Sequence, residues 1–142
     1  MAYDPGPAAA PDELIRLAVA YSAAVDRVTR DGGASIDDLM AFFAEDAVRI
    51  AVGADGAPVV AAGTEAIRAS FLRRTEQRQV VVLKGVDVWG DQVVCRLERA
   101  EAGFARGGVT HNIRVLLVKG GKIRRLVALV DPDEVARLRA PA

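Results

Sequence analysis

The sequence predicts an α+β domain in which helices come first and cover one face of a strongly curved antiparallel sheet. Three observations carry this. Apolar residues Leu14, Leu17, Ala18, Tyr21, Val25 and Val28 recur at helical spacing near the N-terminus. From Gln79 almost to the end, the chain is a series of long β-rich runs. Between those runs sit Gly90-Asp91 and Gly120-Gly121, which suit the positive φ angles of tight hairpin turns. Helices followed by consecutive antiparallel strands define the α+β class.

The elements follow in order. Residues 1–11, rich in Pro, Ala and Gly, read as a flexible tail, and residues 12–142 as one domain. Pro11-Asp12-Glu13 marks a helix start, with acids at the positive end of the dipole. That helix stops near Asp31-Gly32-Gly33. Ser35 is a candidate N-cap for a second helix over Ile36 to Ala44, with Asp37 and Asp38 in its first turn. Strand-like residues run from Val48 to Val52, turn at Gly53–Gly56 and resume over Val59 to Ala62. Thr64 is expected to cap a third helix, with Ile67 and Phe71 facing inward and Arg68, Arg73 and Arg74 on a solvated far side. Strands are expected over Val80–Trp89, Gln92–Ala102, Val109–Lys119 and Lys122–Val130, and a short helix over Asp133 to Arg139.

With 142 residues the chain fits one domain. A domain of this length buries roughly 68–70% of its unfolded surface, enough for a core and a cavity. Basic and acidic side chains balance at 19 each, so there is neither a nucleic-acid footprint nor a polybasic membrane patch. The first residues lack a basic start and a long apolar core, so a secretory signal is not expected, and no apolar run is long enough to cross a membrane. Cys95 is the only cysteine, so an internal disulfide is impossible and a reducing, cytoplasmic setting is expected. His111 is the only histidine, which excludes a metal site built from several His and Cys ligands but not an all-carboxylate one. No metal or cofactor is expected.

Strand periodicity assigns faces. In Gln92–Ala102, Val93, Cys95 and Leu97 mark the odd face as inward, which carries Arg99 and Glu101 inward too. A slip of one residue there would put Arg96 and Glu98 in their place. In Val109–Lys119, the odd face holds Val109, Ile113, Val115 and Leu117, so His111 is expected to point inward and Asn112 and Arg114 away. In the last strand Leu126, Ala128 and Val130 share one face, while Ile123, Val127 and Leu129 share the other. Apolar residues on both faces predict a homodimer through the back of the sheet. Each polar candidate also has a purely structural reading: Tyr21 and His111 as satisfied core residues, Arg99 and Glu101 as a rim ion pair, Cys95 as a small core hydrophobe.

The segments "YSAAVD", "LMAFFAEDAV", "GTEAIRASF" and "LLVKGGKIRRLVALVD" occur in an order and spacing that resembles the SnoaL-like proteins of the nuclear-transport-factor-2-like superfamily. The resemblance runs from Asp12 to Leu138. It implies a cone-shaped α+β fold, a curved antiparallel sheet packed on three N-terminal helices around a ligand cavity. Fold alone does not fix function. Tyr21 falls where ketosteroid isomerase carries its oxyanion tyrosine. The general-base aspartate of that enzyme falls near Ala51, and its protonated aspartate near Ile113 or Arg114, so two of its three groups are absent. Arg99-Ala100-Glu101 resembles an Arg-x-Asp pair of limonene-epoxide hydrolase, whose water-activating aspartate falls near Ala128.

The resulting expectation is a cofactor-free enzyme of isomerase, polyketide-cyclase or epoxide-hydrolase type, acting on a small apolar organic ligand. His111 would move protons, Tyr21 would donate to a developing oxyanion, and Arg99 with Glu101 would orient or protonate the substrate. Phe43, Arg49, Ala51, Phe71, Ile113 and Ala128 are the expected substrate contacts. The alternative is a small-molecule-binding or dimeric interaction domain without catalysis, supported by the alanines at 51 and 128. A small subunit supporting a larger oxygenase is a third possibility.

Overall fold

The computed structural model describes residues 10–52, 57–76, 79–100 and 108–139. Helices α1 (Pro11–Arg30) and α2 (Ile36–Met40) precede strands β1 (Phe43–Val52) and β2 (Pro58–Ala62). Helix α3 (Thr64–Thr75) leads to β3 (Val80–Trp89), β4 (Gln92–Ala100), β5 (Thr110–Lys119) and β6 (Lys122–Leu129), and α4 (Pro132–Arg139) follows. The six strands form one sheet in the order β2-β1-β6-β5-β4-β3.

The sheet is mixed and not wholly antiparallel, because β1 runs parallel to β6. The cause is the connection between β2 and β3. A helix, α3, makes that link, so the alternation of direction restarts there. Three hairpin reversals later, β6 runs opposite to β3 and alongside β1.

Helix α1 forms as its spacing predicts. Pro11 occupies its first turn, where a missing N–H costs nothing, and Asp12 and Glu13 face the positive end of its dipole. Leu14, Ala18, Tyr21, Val25 and Val28 are buried along one stripe. Tyr21 meets Phe42 and Phe43 edge-on, with ring centroids 5.9 and 5.8 Å apart. Such pairs add about 0.5–1.5 kcal/mol beyond their buried area.

Two boundaries differ from expectation. Helix α2 ends at Met40, and the chain is already strand at Phe43, whose partner is Ile123. Phe43 is drawn into the core between Tyr21 and Phe71, and a register shift before Val48 absorbs the change. At α3, Gly63 and not Thr64 holds the cap position, with φ +88°, a conformation that suits glycine.

Cross-strand register fixes the faces of the sheet. Directly paired residues share a face. Val93, Cys95 and Leu97 of β4 are buried, as expected. Their β5 partners are Leu116, Arg114 and Asn112, so the even positions of β5 point inward. This reverses the expectation for that strand. His111 pairs with Glu98 on the outer face. The physical reason is that the inward face of β5 carries Asn112 and Arg114 beside Leu116 and Val118, while Ile113, Val115 and Leu117 lie on the other, so its own periodicity points to the wrong side. Continuing across the sheet, Arg114 pairs with Ala128, and Ala128 with Ala51, which carries the inner face into β6 and β1.

Candidate functional site

A cavity of about 410 Å³ lies over the inner face of the sheet beside α3. This falls in the range of sites for small organic ligands, roughly 300–1,000 Å³. Val52, Val59, Val81, Leu97, Leu126 and Val130 supply an apolar wall. The polar lining is dominated by arginine: Arg49 from β1, Arg73 and Arg74 from α3, Arg99 from β4 and Arg114 from β5. Ser70, Gln79 and Asn112 complete it. Among the described residues, this lining holds no carboxylate, imidazole or thiol.

Each strand delivers its arginine by the register above. Arg49 is two residues from Ala51 on β1 and pairs with Leu126. It is only 8% exposed. Its Nη1 donates to Ser70 Oγ at 3.5 Å, and its guanidinium carbon lies 4.9 Å from the centre of the Phe71 ring. Ser70 sends its own proton to the Ile67 carbonyl at 2.6 Å, leaving oxygen lone pairs for Arg49. The Arg49 Nε is buried and has no hydrogen-bond partner among the described residues.

Arg74 lies over the same Phe71 ring at 5.6 Å, and its Nε donates to Gln79 Oε1 at 3.1 Å. Arg114 is 4% exposed. Its Nη1 donates to Ser22 Oγ at 2.9 Å, and its guanidinium lies 4.9 Å from the centre of the Tyr21 ring. The faces of Phe71 and Tyr21 therefore carry part of the electrostatic load that carboxylates would otherwise carry.

The charges are still under-compensated. Burial, reinforced by Arg49 and other guanidiniums nearby, pulls the pKa of Arg74 down to about 9. Burial also lowers that of Arg49, with Arg114 and Arg73 adding to the effect. Among the described residues, Arg49, Arg74 and Arg114 form no ion pair; the pairs present, such as Arg27–Asp38 and Arg68–Asp37, lie elsewhere. Asp26 on α1 is a carboxylate that feels Arg114. Burial nevertheless raises its pKa, with Arg30 and Arg114 opposing the rise.

The expected site residues distribute unevenly around this cavity. Arg49, Ala51, Arg99, Ile113 and Ala128 border it. Tyr21, Phe43 and Phe71 do not; they are core residues, and the Phe71 and Tyr21 rings lie against Arg49, Arg74 and Arg114. The Tyr21 hydroxyl is buried with no hydrogen-bond partner among the described residues. Glu101 lies outside the described residues.

His111 is corrected most sharply. Its side chain is 68% exposed on the outer face, with Nδ1 3.1 Å from Glu134 Oε1 on α4 and Nε2 3.9 Å from Glu98. Arg73 is exposed, as expected of a solvated face, yet it borders the cavity, while Arg74, also expected there, is half-buried in the lining. The lining is thus more charged than the small apolar ligand expected from the sequence would call for. Asn112 and Arg114 are the residues that periodicity turns the wrong way; the pairing of β5 with β4 is the signal that places them.

Among the described residues, no three His, Cys, Asp or Glu side chains gather as metal ligands, and no helix is long and apolar enough to cross a membrane.

A helix-covered, curved six-stranded sheet with a cavity on its inner face defines a class of small-molecule-sized cone folds. The fold is that of the nuclear-transport-factor-2-like proteins. A protein of that fold and of unknown function from Burkholderia pseudomallei superposes with a TM-score of 0.72 at 14% identity, covering 91% of this chain and 98% of the other. A putative polyketide cyclase from Sinorhizobium meliloti gives 0.65 at 21% identity, covering 84% and 95%. A protein with a ketosteroid-isomerase-like fold from Catenulispora acidiphila, in complex with trimethylamine, gives 0.67 at 19% identity, covering 87% and 91%. No family model matches the chain, and no curated protein matches it.

Proposed function

We propose that this protein binds a small organic molecule in the cone cavity, gripping it by side-chain hydrogen bonding and not by proton transfer from the cavity wall. One observation carries the reading: the described lining offers many donors and no group that titrates near neutrality. Cofactor-free acid–base chemistry needs such a group within hydrogen-bond reach of substrate. His111, the one histidine, faces away from the cavity.

The catalytic reading is supported by neighbours described as a putative polyketide cyclase and as ketosteroid-isomerase-like in fold. It requires an acid or base from the segment that includes Glu101. Amide chemical-shift mapping by NMR against a small-molecule panel, with mass analysis of the recovered ligands, separates the two. Shifts at Ala51, Val81, Asn112 and Ala128 with unchanged ligand are the expected result. Shifts confined to the outer sheet face would overturn the binding site, and converted ligand would favour catalysis.

A homodimer is part of the proposal. Val80, Val82, Trp89 and Leu129 are exposed large apolar residues on the outer face of the sheet. The buried free thiol of Cys95 suits a reducing compartment such as the cytoplasm.

A further inference from the structure

We propose that the cavity's ligand is an organic acid, whose oxyanion head is held by Arg49, Arg74 and Arg114 and whose apolar body rests on Val81, Leu97 and Leu126. This rests on the reading of the cavity as a binding site and adds the chemical class of what it binds.

A buried guanidinium without a counter-charge is costly, because transfer of a charge out of water is compensated only by pairing and full hydrogen bonding. A guanidinium carries five N–H donors. Arg49 commits one to Ser70, while its buried Nε has no partner among the described residues. Arg114 commits one to Ser22, and Arg74 one to Gln79. The three cations lie near one another with donors to spare; Asp26 on α1 offsets only Arg114, and the described lining holds no carboxylate, so the site is incomplete in its own charge. The pKa values of Arg49 and Arg74 move down, as burial and the neighbouring guanidiniums dictate.

Aromatic rings make the arrangement tolerable when empty. Phe71 faces both Arg49 and Arg74, and Tyr21 faces Arg114. Rings hold the guanidiniums without occupying their in-plane N–H groups, which is where a planar carboxylate binds two at a time. The apolar residues share the lining with these heads, so an amphipathic ligand satisfies both parts at once. A cationic ligand would meet like charge.

The test uses matched probes of one shape: 2-naphthoate, 2-naphthalenesulfonate and the neutral 2-naphthamide, with hexanoate and hexanamide as a slimmer pair, titrated into the full chain by calorimetry. Charge-assisted hydrogen bonding in a dry site predicts that each acid binds roughly 10- to 100-fold tighter than its amide. A preference for sulfonate over carboxylate would assign the head group within the oxyanion class and support the inference. Amides binding as well as acids would overturn the organic-acid inference while leaving the binding cavity standing. No binding by any probe at millimolar concentration would overturn both.

Arg49→Met gives an independent arm. Removing an uncompensated buried charge is expected to leave the unliganded melting temperature unchanged or higher, while naphthoate affinity falls roughly 10- to 100-fold and naphthamide affinity does not change. A lower melting temperature with equal losses for both probes would make Arg49 a structural residue and overturn the inference. Arg74→Met repeats the arm with the same two outcomes.

Discussion

Arg49 and Arg74 share one aromatic ring: their guanidinium carbons lie 4.9 and 5.6 Å from the centre of Phe71. Two like charges on one quadrupole are held there by the fold, since β1 presents the first and α3 the second. The arrangement trades stability for a site that attracts anions, and it makes a pH signature.

The pKa of Arg74 is about 9 in the folded protein, below the ordinary arginine range that the unfolded chain keeps. Between those values the unfolded state binds more protons, so this group's contribution to stability rises with pH above about 9. Below pH 9 the charged, buried form is a constant penalty. Arg74→Met is therefore expected to exceed the parent in stability at pH 7, with the difference shrinking as pH passes through 9. Urea unfolding of both proteins from pH 7 to 10.5 checks this; a pH-independent difference would mean that Arg74 keeps an ordinary pKa.

The Tyr21 hydroxyl is buried without a hydrogen-bond partner among the described residues, although its ring packs against Phe42, Phe43 and Arg114. An unsatisfied buried polar group costs about 1–3 kcal/mol. Tyr21→Phe should thus be neutral or stabilising by up to about 1 kcal/mol, since the ring contacts survive. A loss above about 1 kcal/mol in chemical denaturation would reveal a partner for the hydroxyl.

Gly32 and Gly33 follow α1, both at positive φ, +67° and +98°. They differ in what lies beside them. A Cβ at Gly32 meets open space, whereas one at Gly33 would stand 2.7 Å from Leu72 Cδ2. Gly33→Ala should cost about 1–3 kcal/mol, mainly from backbone strain at φ +98°, with a smaller cost for turning aside the exposed Leu72 side chain. Gly32→Ala carries the backbone term alone and should cost less. Equal thermal shifts for the two variants would contradict the packing argument.

The proposed dimer uses the outer face, where Val115 stands at the centre of β5 between Val94 and Val127. An arginine there would bury a charge in an apolar contact. Val115→Arg is expected to turn a dimer into a folded monomer in light scattering at micromolar concentration. A parent protein that is already monomeric under those conditions would end the dimer proposal.

Some of this protein was legible in its sequence. The α1 stripe from Leu14 to Val28 needed only helical spacing, because one face of that helix is apolar and the other is not. The inward face of β4, with Val93, Cys95, Leu97 and Arg99, needed only alternation. The hairpin glycines at 90, 120 and 121, all at positive φ, were set by local sterics. Arg49, Ala51 and Ala128 reached the cavity as expected because β1 and β6 keep a plain alternation there.

Tertiary structure decided the rest. The sidedness of β5 was fixed by its pairing with β4, which sets Arg114 and Asn112 beside the buried Cys95 and Leu97 against the strand's own apolar pattern. That one choice turned His111 outward to Glu134 and Arg114 inward to Tyr21. The direction of β6 was set by the crossover through α3. Local sequence determined which segments became helix or strand, because φ/ψ preference and side-chain period act within a few residues. The gathering of arginines from β1, α3, β4 and β5 into one cavity depends on sheet register and curvature, which only long-range pairing can fix.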